Sequence, residues 1–430
     1  MMRRVLLGAM AVVALAEGEG MRCPVGNAQC PNEGCAPVEA GKDIDCCGDG
    51  TACAEGYRCD DSVPGHGAAC SAVADGGALA KNMEGAGEQK PMPMGTAGWE
   101  LRHHLCRPGG LPLHMLDLPS VAARFPYYSS VGPIDQPPPA TVEVAFIVQH
   151  GMGRNADDYY CSALEAVAMS GLPPGRAAVY APRFMEPPDK PTPGTIYWNG
   201  SYPNGCWRCG GESDPAAAAG QTTSSFAVLD RMVRLLLATP RLRTIVIAGH
   251  SSGGQIVQRH AIFTHLPLTD ARVRWVPANP SSYAYLDARR WINGSLVVPS
   301  DSQRAKCPAY DDWHFGLASG LPPYARARPG GTRAALAAFA HRDVRYLQGH
   351  NDTCDCNPST PGCACVSHGL ETTCADELMG PYRLARGRLY YAALQSVYKN
   401  HTHMMHEVPN VGHDHSLIWQ SREGLSAIFG

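Results

Sequence analysis

The sequence contains no long run of lysines and arginines, and its formal net charge is only -3 over 430 residues. That removes the electrostatic footprint by which proteins hold nucleic acid or an anionic membrane surface, so no polyanionic partner is expected. Beyond the N-terminus no apolar run approaches the ~20 residues needed to cross a bilayer, so no membrane span is expected. Charged residues are scarce, at 17% against 44% apolar, which is the balance of a globular chain rather than a disordered one. Large apolar side chains are almost missing from Cys23 to Cys70, so that segment cannot build a core of its own.

What that segment has instead is cysteine. Eight of the chain's 18 cysteines fall there, which calls for stapling by disulfides of unresolved connectivity. Disulfides need an oxidising compartment. The first sixteen residues supply the route to one, since Arg3 and Arg4 precede an apolar stretch that ends in Ala14-Leu15-Ala16, the layout of a cleavable signal peptide. Secretion is therefore expected, and sequons at Asn199, Asn293, Asn351 and Asn400 agree with it. The expected order is a signal peptide over 1–16, a cysteine-rich module over 17–71, a Gly/Ala/Pro linker over 72–98 and a large folded domain over 99–430.

Within that domain, apolar runs alternate with helical patterns. The runs at Val142 to Val148, Ala177 to Ala181, Ile245 to Ala248, Trp275 to Ala278, Val344 to Gln348 and Met404 to Val408 read as strands. Helical periodicity follows or precedes most of them, notably over Asp157 to Met169, Ser224 to Leu237 and Gly253 to His265. This alternation predicts an α/β fold with a mostly parallel sheet and helices on both faces. Phe184 to Gly220 interrupts it as a long Pro- and Gly-rich excursion, in which Trp198 and Trp207 either line a cleft or pin the loop to the domain.

The chemistry centres on Gly249-His250-Ser251-Ser252-Gly253, between an apolar strand and a helix. The two glycines let the backbone turn sharply enough to expose the Ser251 Oγ, making it a candidate nucleophile. Such a serine needs a base and a carboxylate to orient that base. Asp352 follows a later strand and His413 follows the last, which gives the chain order Ser, Asp, His. Asp343 and Asp355 compete with Asp352, and His403, His406 and His415 compete with His413. Cys206-x-x-Cys209 has redox spacing, but in a Gly-rich loop of a secreted chain it reads as a structural disulfide. The cluster of Cys354, Cys356, Cys363, Cys365, Cys374, His350 and His368 has zinc-ligand chemistry, yet reads as disulfides for the same reason. No metal and no cofactor is expected. Because the Asn351 sequon adjoins the candidate acid, it is expected to carry little or no glycan.

From about Trp99 onward the strings HGMGRNADDYY, SSFAVLD, GHSSGGQ, NPSSYAYL and NVGHDH resemble secreted eukaryotic members of the α/β-hydrolase superfamily. Cys46 to Cys59 resembles granulin-type and, more distantly, hevein-type modules. The hydrolase resemblance implies an oxyanion hole formed by the Met152 and Ser252 amides, and a serine hydrolase acting on a carboxylic ester, small or polymeric. The cysteine-dense insert after Asp352 departs from the family pattern and weakens the assignment of the acid. An amide or thioester hydrolase on the same residues, or a binding protein without catalysis, are the other readings. The hevein-like likeness lacks the aromatics that stack sugars, since Tyr57 stands alone between Glu17 and Gly98. An accessory role, through which an extracellular partner would be met, is the expectation for that module.

Overall fold

A computed structural model describes residues 106, 111, 113–202, 204–267, 272–353 and 369–430, with the backbone of four short strands nearer the N-terminus. The chain divides into two units, Met1–Met92 and Pro93–Gly430. In the first, Asp45–Cys46 pairs antiparallel with Ala52–Cys53, and Tyr57–Asp60 with Ala69–Ala72. The expected signal peptide, the linker and the side chains of the cysteine-rich module lie outside the described residues, as do Asp355, Cys354, Cys356, Cys363, Cys365 and His368.

The second unit is built on one eight-stranded sheet. Its strands are β1 (Leu113–Asp117), β2 (Arg124–Ser129), β3 (Val144–Gln149), β4 (Ala177–Pro182), β5 (Thr244–His250), β6 (Val273–Ala278), β7 (Asp343–Gly349) and β8 (Met404–Val408). Their spatial order is β8-β7-β6-β5-β3-β4-β2-β1. Pairing is parallel from β8 to β4 and antiparallel at β4–β2 and β2–β1. Central strands buried on both faces must be apolar throughout. Every residue of β3 is buried, and all but the first of β5.

Helices cover the sheet: α1 (Ala156–Met169), α2 (Ser225–Leu237), α3 (Ser252–Phe263), α4 (Gly331–Phe339), α5 (Arg383–Val397), α6 (His415–Gln420) and α7 (Arg422–Phe429). In α2 the Ser224 hydroxyl caps the helix by accepting from the Phe226 amide at 3.1 Å. The face carrying Phe226, Leu229, Met232, Val233 and Leu236 is buried, each such side chain stabilising the fold by roughly 1.5–3 kcal/mol. Among the described residues no helix is long and apolar enough to cross a membrane.

The excursion over 184–220 is folded rather than loose. Trp198 and Trp207 are fully buried, and Trp207 stacks on Phe184 with ring centroids 5.6 Å apart. Of the two roles open to these tryptophans, pinning is the one observed. Cys206 is bonded to Cys209. Cys374 pairs outside its own cluster, with Cys307 sixty-seven residues earlier. Cys106 and Cys161 carry free thiols that meet each other, so pairing among the described cysteines is incomplete.

Candidate active site

Ser251 sits between β5 and α3 with φ 60° and ψ -121°, a conformation that L-residues adopt only when the surroundings enforce it. Two close approaches enforce it here. A Cβ on Gly249 would lie 2.3 Å from the Gly253 carbonyl oxygen, and one on Gly253 would lie 2.4 Å from the Gln149 carbonyl oxygen. Only glycine fits either place. The Ser251 amide donates to the Ala278 oxygen at the end of β6 (2.9 Å), which ties the turn to the neighbouring strand.

Asp352 lies three residues past β7 and is 2% exposed. Its Oδ2 is 2.7 Å from His413 Nδ1. Its Oδ1 faces the buried Arg383 guanidinium on α5 at 3.6 Å. The backbone is held as well, because the Asp352 amide donates to the Gly349 oxygen (3.0 Å) and its carbonyl accepts from the Leu384 amide (3.1 Å). The rival Asp343 stands at the opposite end of β7, paired with Arg274 (2.8 Å) and Arg345 (2.9 Å).

The histidines separate in the same way. His403 is buried before β8, beneath the Phe339 carbonyl (2.6 Å), and His406 lies within β8. His350, one of the candidate zinc ligands, instead meets Glu407 at 3.1 Å. His415 reaches the cleft, but its ring stacks on Tyr159 (centroids 4.0 Å, 9°) and its Nε2 is 3.6 Å from Asp158. His413 is the one of these that meets Asp352.

A cleft of about 530 Å³ opens over the carboxyl ends of β3, β5, β7 and β8, with Met152, Tyr159, His250, Ser251, Gly369 and His413 in its wall. The His150-Gly151-Met152 loop is braced from below. His150 is fully buried, its Nδ1 donating to the Gly151 oxygen (2.8 Å) and its Nε2 accepting from the Phe184 amide (3.0 Å). Burial lowers its pKa to about 4, so the ring stays neutral. Arg154, at φ 55°, donates to the Met152 oxygen (3.0 Å) and pairs with Glu186 (3.2 Å) and Asp189 (2.6 Å). The Met152 residue is therefore held at the mouth, while Ser252 opens α3, where the first amides of a helix have no intrahelical acceptor.

Three further residues hold the site together and have no sequence spacing that announces them. Asn279, at φ 42° just past β6, accepts from the Gly349 amide (2.7 Å) and donates to the Gly412 oxygen (3.2 Å), joining the loops that carry Asp352 and His413. Arg383 neutralises the side of Asp352 away from the histidine. His250, inside the serine motif, packs its ring 4.4 Å from that of His413. The sequence signal for His250 and Asn279 was their placement in the quoted strings, which said nothing of their contacts, and Arg383 had none.

No protein-family model matches the chain, and no curated protein matches it. Among solved structures the chain is similar to poly(aspartic acid) hydrolase-1 from Sphingomonas sp. KT-1, with 21% identity over 75% of this chain and 99% of that one and a TM-score of 0.50. LpqC, a poly(3-hydroxybutyrate) depolymerase from Bordetella parapertussis, also aligns, at 21% identity over 73% of this chain and 87% of that one, with a TM-score of 0.46. Likeness at this level is one of fold. With the sheet order and helix placement above, it makes the second unit an α/β-hydrolase fold.

Proposed function

We propose that this chain is a secreted serine hydrolase that cleaves carboxylic esters through an acyl-enzyme on Ser251. The observation that carries the reading is the His413–Asp352 contact of 2.7 Å in the same cleft as a serine held at positive φ. With Nδ1 engaged by the carboxylate, Nε2 is the nitrogen that takes the Oγ proton as Oγ attacks the acyl carbon. The tetrahedral oxyanion is received by the Met152 and Ser252 amides. Collapse expels the alcohol, protonated by the His413 imidazolium, and water repeats the sequence to release the acid and restore Ser251. Asp352 fixes the tautomer and stabilises the imidazolium, and Arg383 pairs with its other oxygen.

The same residues serve amide and thioester hydrolysis, and the neighbour from Sphingomonas is named for poly(aspartic acid). The decisive experiment is therefore labelling with a fluorophosphonate probe, followed by a panel of aryl and alkyl esters, thioesters, amides and poly(aspartic acid). Ester turnover with label on Ser251 is expected. Ser251→Ala should lower kcat by ~10⁴-fold or more while leaving the melting temperature unchanged. Residual activity of several per cent would end the assignment of the nucleophile. Faster turnover of amides than of esters would move the reading to an amidase.

A further inference from the structure

Tyr159 lies on the first turns of α1 and is 4% exposed, yet its side chain reaches the wall of the cleft. Its hydroxyl lies 2.8 Å from the point where a Cβ on Gly151 would sit, and that same point is 3.7 Å from the Ser251 Cβ. The phenol oxygen therefore occupies the seam between the His-Gly loop and the nucleophile, where negative charge develops during acyl transfer. Stacking on His415 fixes the plane of its ring.

Where the phenolic proton points follows from the groups behind it. Asn279 Oδ1 accepts from the Gly349 amide at 2.7 Å, which fixes the orientation of the side-chain amide. Its Nδ2, a donor only, then faces His250 Nε2 at 3.3 Å, so Nε2 must be the accepting nitrogen. His250 is buried, and both desolvation and the neighbouring His413 and His415 hold its pKa well below the usual range, so it carries a single proton. That proton is on Nδ1, 3.3 Å from the Tyr159 oxygen, and it is donated there. The Gly151 backbone lies against the same oxygen, which is 2.8 Å from where a Gly151 Cβ would sit. With His250 donating to the phenol oxygen, the phenol's own O–H is directed away from that ring, towards the cleft that Tyr159 lines.

We propose that the Tyr159 hydroxyl is a third hydrogen-bond donor to the oxyanion, beside the Met152 and Ser252 amides, with its proton aimed by Asn279 and His250. The proton is shared and not transferred. Burial raises the phenol pKa far above neutrality, so the tyrosine remains a donor throughout turnover. Tyr159 is thus a catalytic residue in that it touches the reacting oxygen, whereas Asn279 and His250 are positioning residues. The inference rests on the serine-hydrolase reading above.

The test compares the full chain with Tyr159→Phe, using p-nitrophenyl acetate turnover and the affinity of an aryl trifluoromethyl ketone, whose hemiketal oxygen mimics the oxyanion. Losing one oxyanion donor typically costs ~10²-fold in kcat. The expected result is a fall of that size in kcat with KM changed less than threefold, a similar loss of ketone affinity, and continued fluorophosphonate labelling at Ser251. The pre-steady-state burst and the steady state should slow together, since acylation and deacylation both pass through an oxyanion. A merely structural tyrosine would instead lower the melting temperature and leave kcat and ketone affinity alone, and that result overturns the proposal. If Tyr159→Phe does not fold, 3-fluorotyrosine at position 159 keeps the ring and strengthens the donor. A measurable change in kcat and ketone affinity then supports the proposal, and none refutes it. A wild-type chain that neither labels nor turns over ester sinks the hydrolase reading and this inference with it. An active wild type with an unimpaired Tyr159→Phe variant sinks this inference alone.

Discussion

Lowering the pH from 7.5 to 5 should destabilise the second unit, because several of its histidines are buried as neutral rings. Desolvation lowers His150 and His403 from 6.5 to about 4 in the fold. Below pH 6.5 the unfolded chain binds protons that the folded chain refuses, so stability is lost as pH falls from the unfolded value towards the folded one. At pH 5 that loss is about 2 kcal/mol for each of the two rings. His250 and His314 are pushed down for the same reason and add to it. Carboxyls raised by burial oppose the trend, Glu212 and Asp311 among them. Asp376 is raised to about 6, chiefly by burial, so protonating it as pH falls favours the folded state and returns about 1 kcal/mol at pH 5. The expected net loss is therefore about 3 kcal/mol or more, a large part of the stability of an ordinary domain. Urea unfolding at pH 7.5, 6.5, 5.5 and 5.0 measures it, read from the tryptophans of the second unit. His403→Gln should flatten the profile by about 2 kcal/mol between pH 7.5 and 5, even though its own stability at pH 7.5 is lower. Stability that is level or rising towards pH 5 would refute the assignment of neutral buried rings.

Asp352→Asn should lower kcat by roughly 10⁴-fold at neutral pH, while Asp343→Asn, at the far end of β7, should leave kcat within a few-fold and show itself in the melting temperature. Steady-state kinetics and thermal melts on the two variants distinguish these effects. Gly253→Ala should cost ~3 kcal/mol or more, since its methyl would press on the Gln149 and His150 carbonyls; a melting temperature equal to wild type would show that the elbow yields. Asn351 is exposed, as are Asn199, Asn293 and Asn400. The expectation of a bare Asn351 therefore loses its steric ground, and glycan is expected there too, with full activity; glycopeptide mass spectrometry checks it.

The parallel strands were legible because burial on both faces writes itself as an unbroken apolar run, and the observed bounds differ from those expected by a residue or two. The first two strands were missed for the converse reason. Leu113–Asp117 is exposed at both ends and half-buried between, and Arg124–Ser129 carries Pro126, so neither shows a run or a clean alternation. Helices α6 and α7 were also missed, being short and beyond the last catalytic loop. The candidate triad was readable because each member follows a strand end, and strand ends are visible. Tyr159, Asn279 and Arg383 were not, because their roles come from contacts made across 70 to 133 positions of sequence or through a loop. The bond between Cys307 and Cys374 was hidden likewise, since no spacing rule joins cysteines so far apart.

The cysteine-dense insert looked, in the sequence, like a threat to the acid, because it begins two residues after Asp352. In the fold the acid also has anchors outside it. Asp352 is fixed by β7 through the Gly349 oxygen, by α5 through the Leu384 amide and Arg383, and by His413. On the other side of the insert the chain is anchored again. Glu371 is paired with Arg208 (2.8 Å) and accepts from Ser281 (3.2 Å) and Ser282 (3.3 Å), and Cys374 is bonded to Cys307. Arg259, fully buried on the nucleophile helix, donates to the Arg208 oxygen (3.1 Å), Gln255 (2.7 Å) and Ser282 (2.9 Å). A buried guanidinium held by neutral oxygens is tolerable only with a carboxylate close by, and Glu371 is that carboxylate. The excursion, the nucleophile helix and the chain leaving the insert thus meet at one buried charge cluster. Both flanks of the insert are thus held by contacts made with other elements, Asp352 on one side and Glu371 and Cys374 on the other.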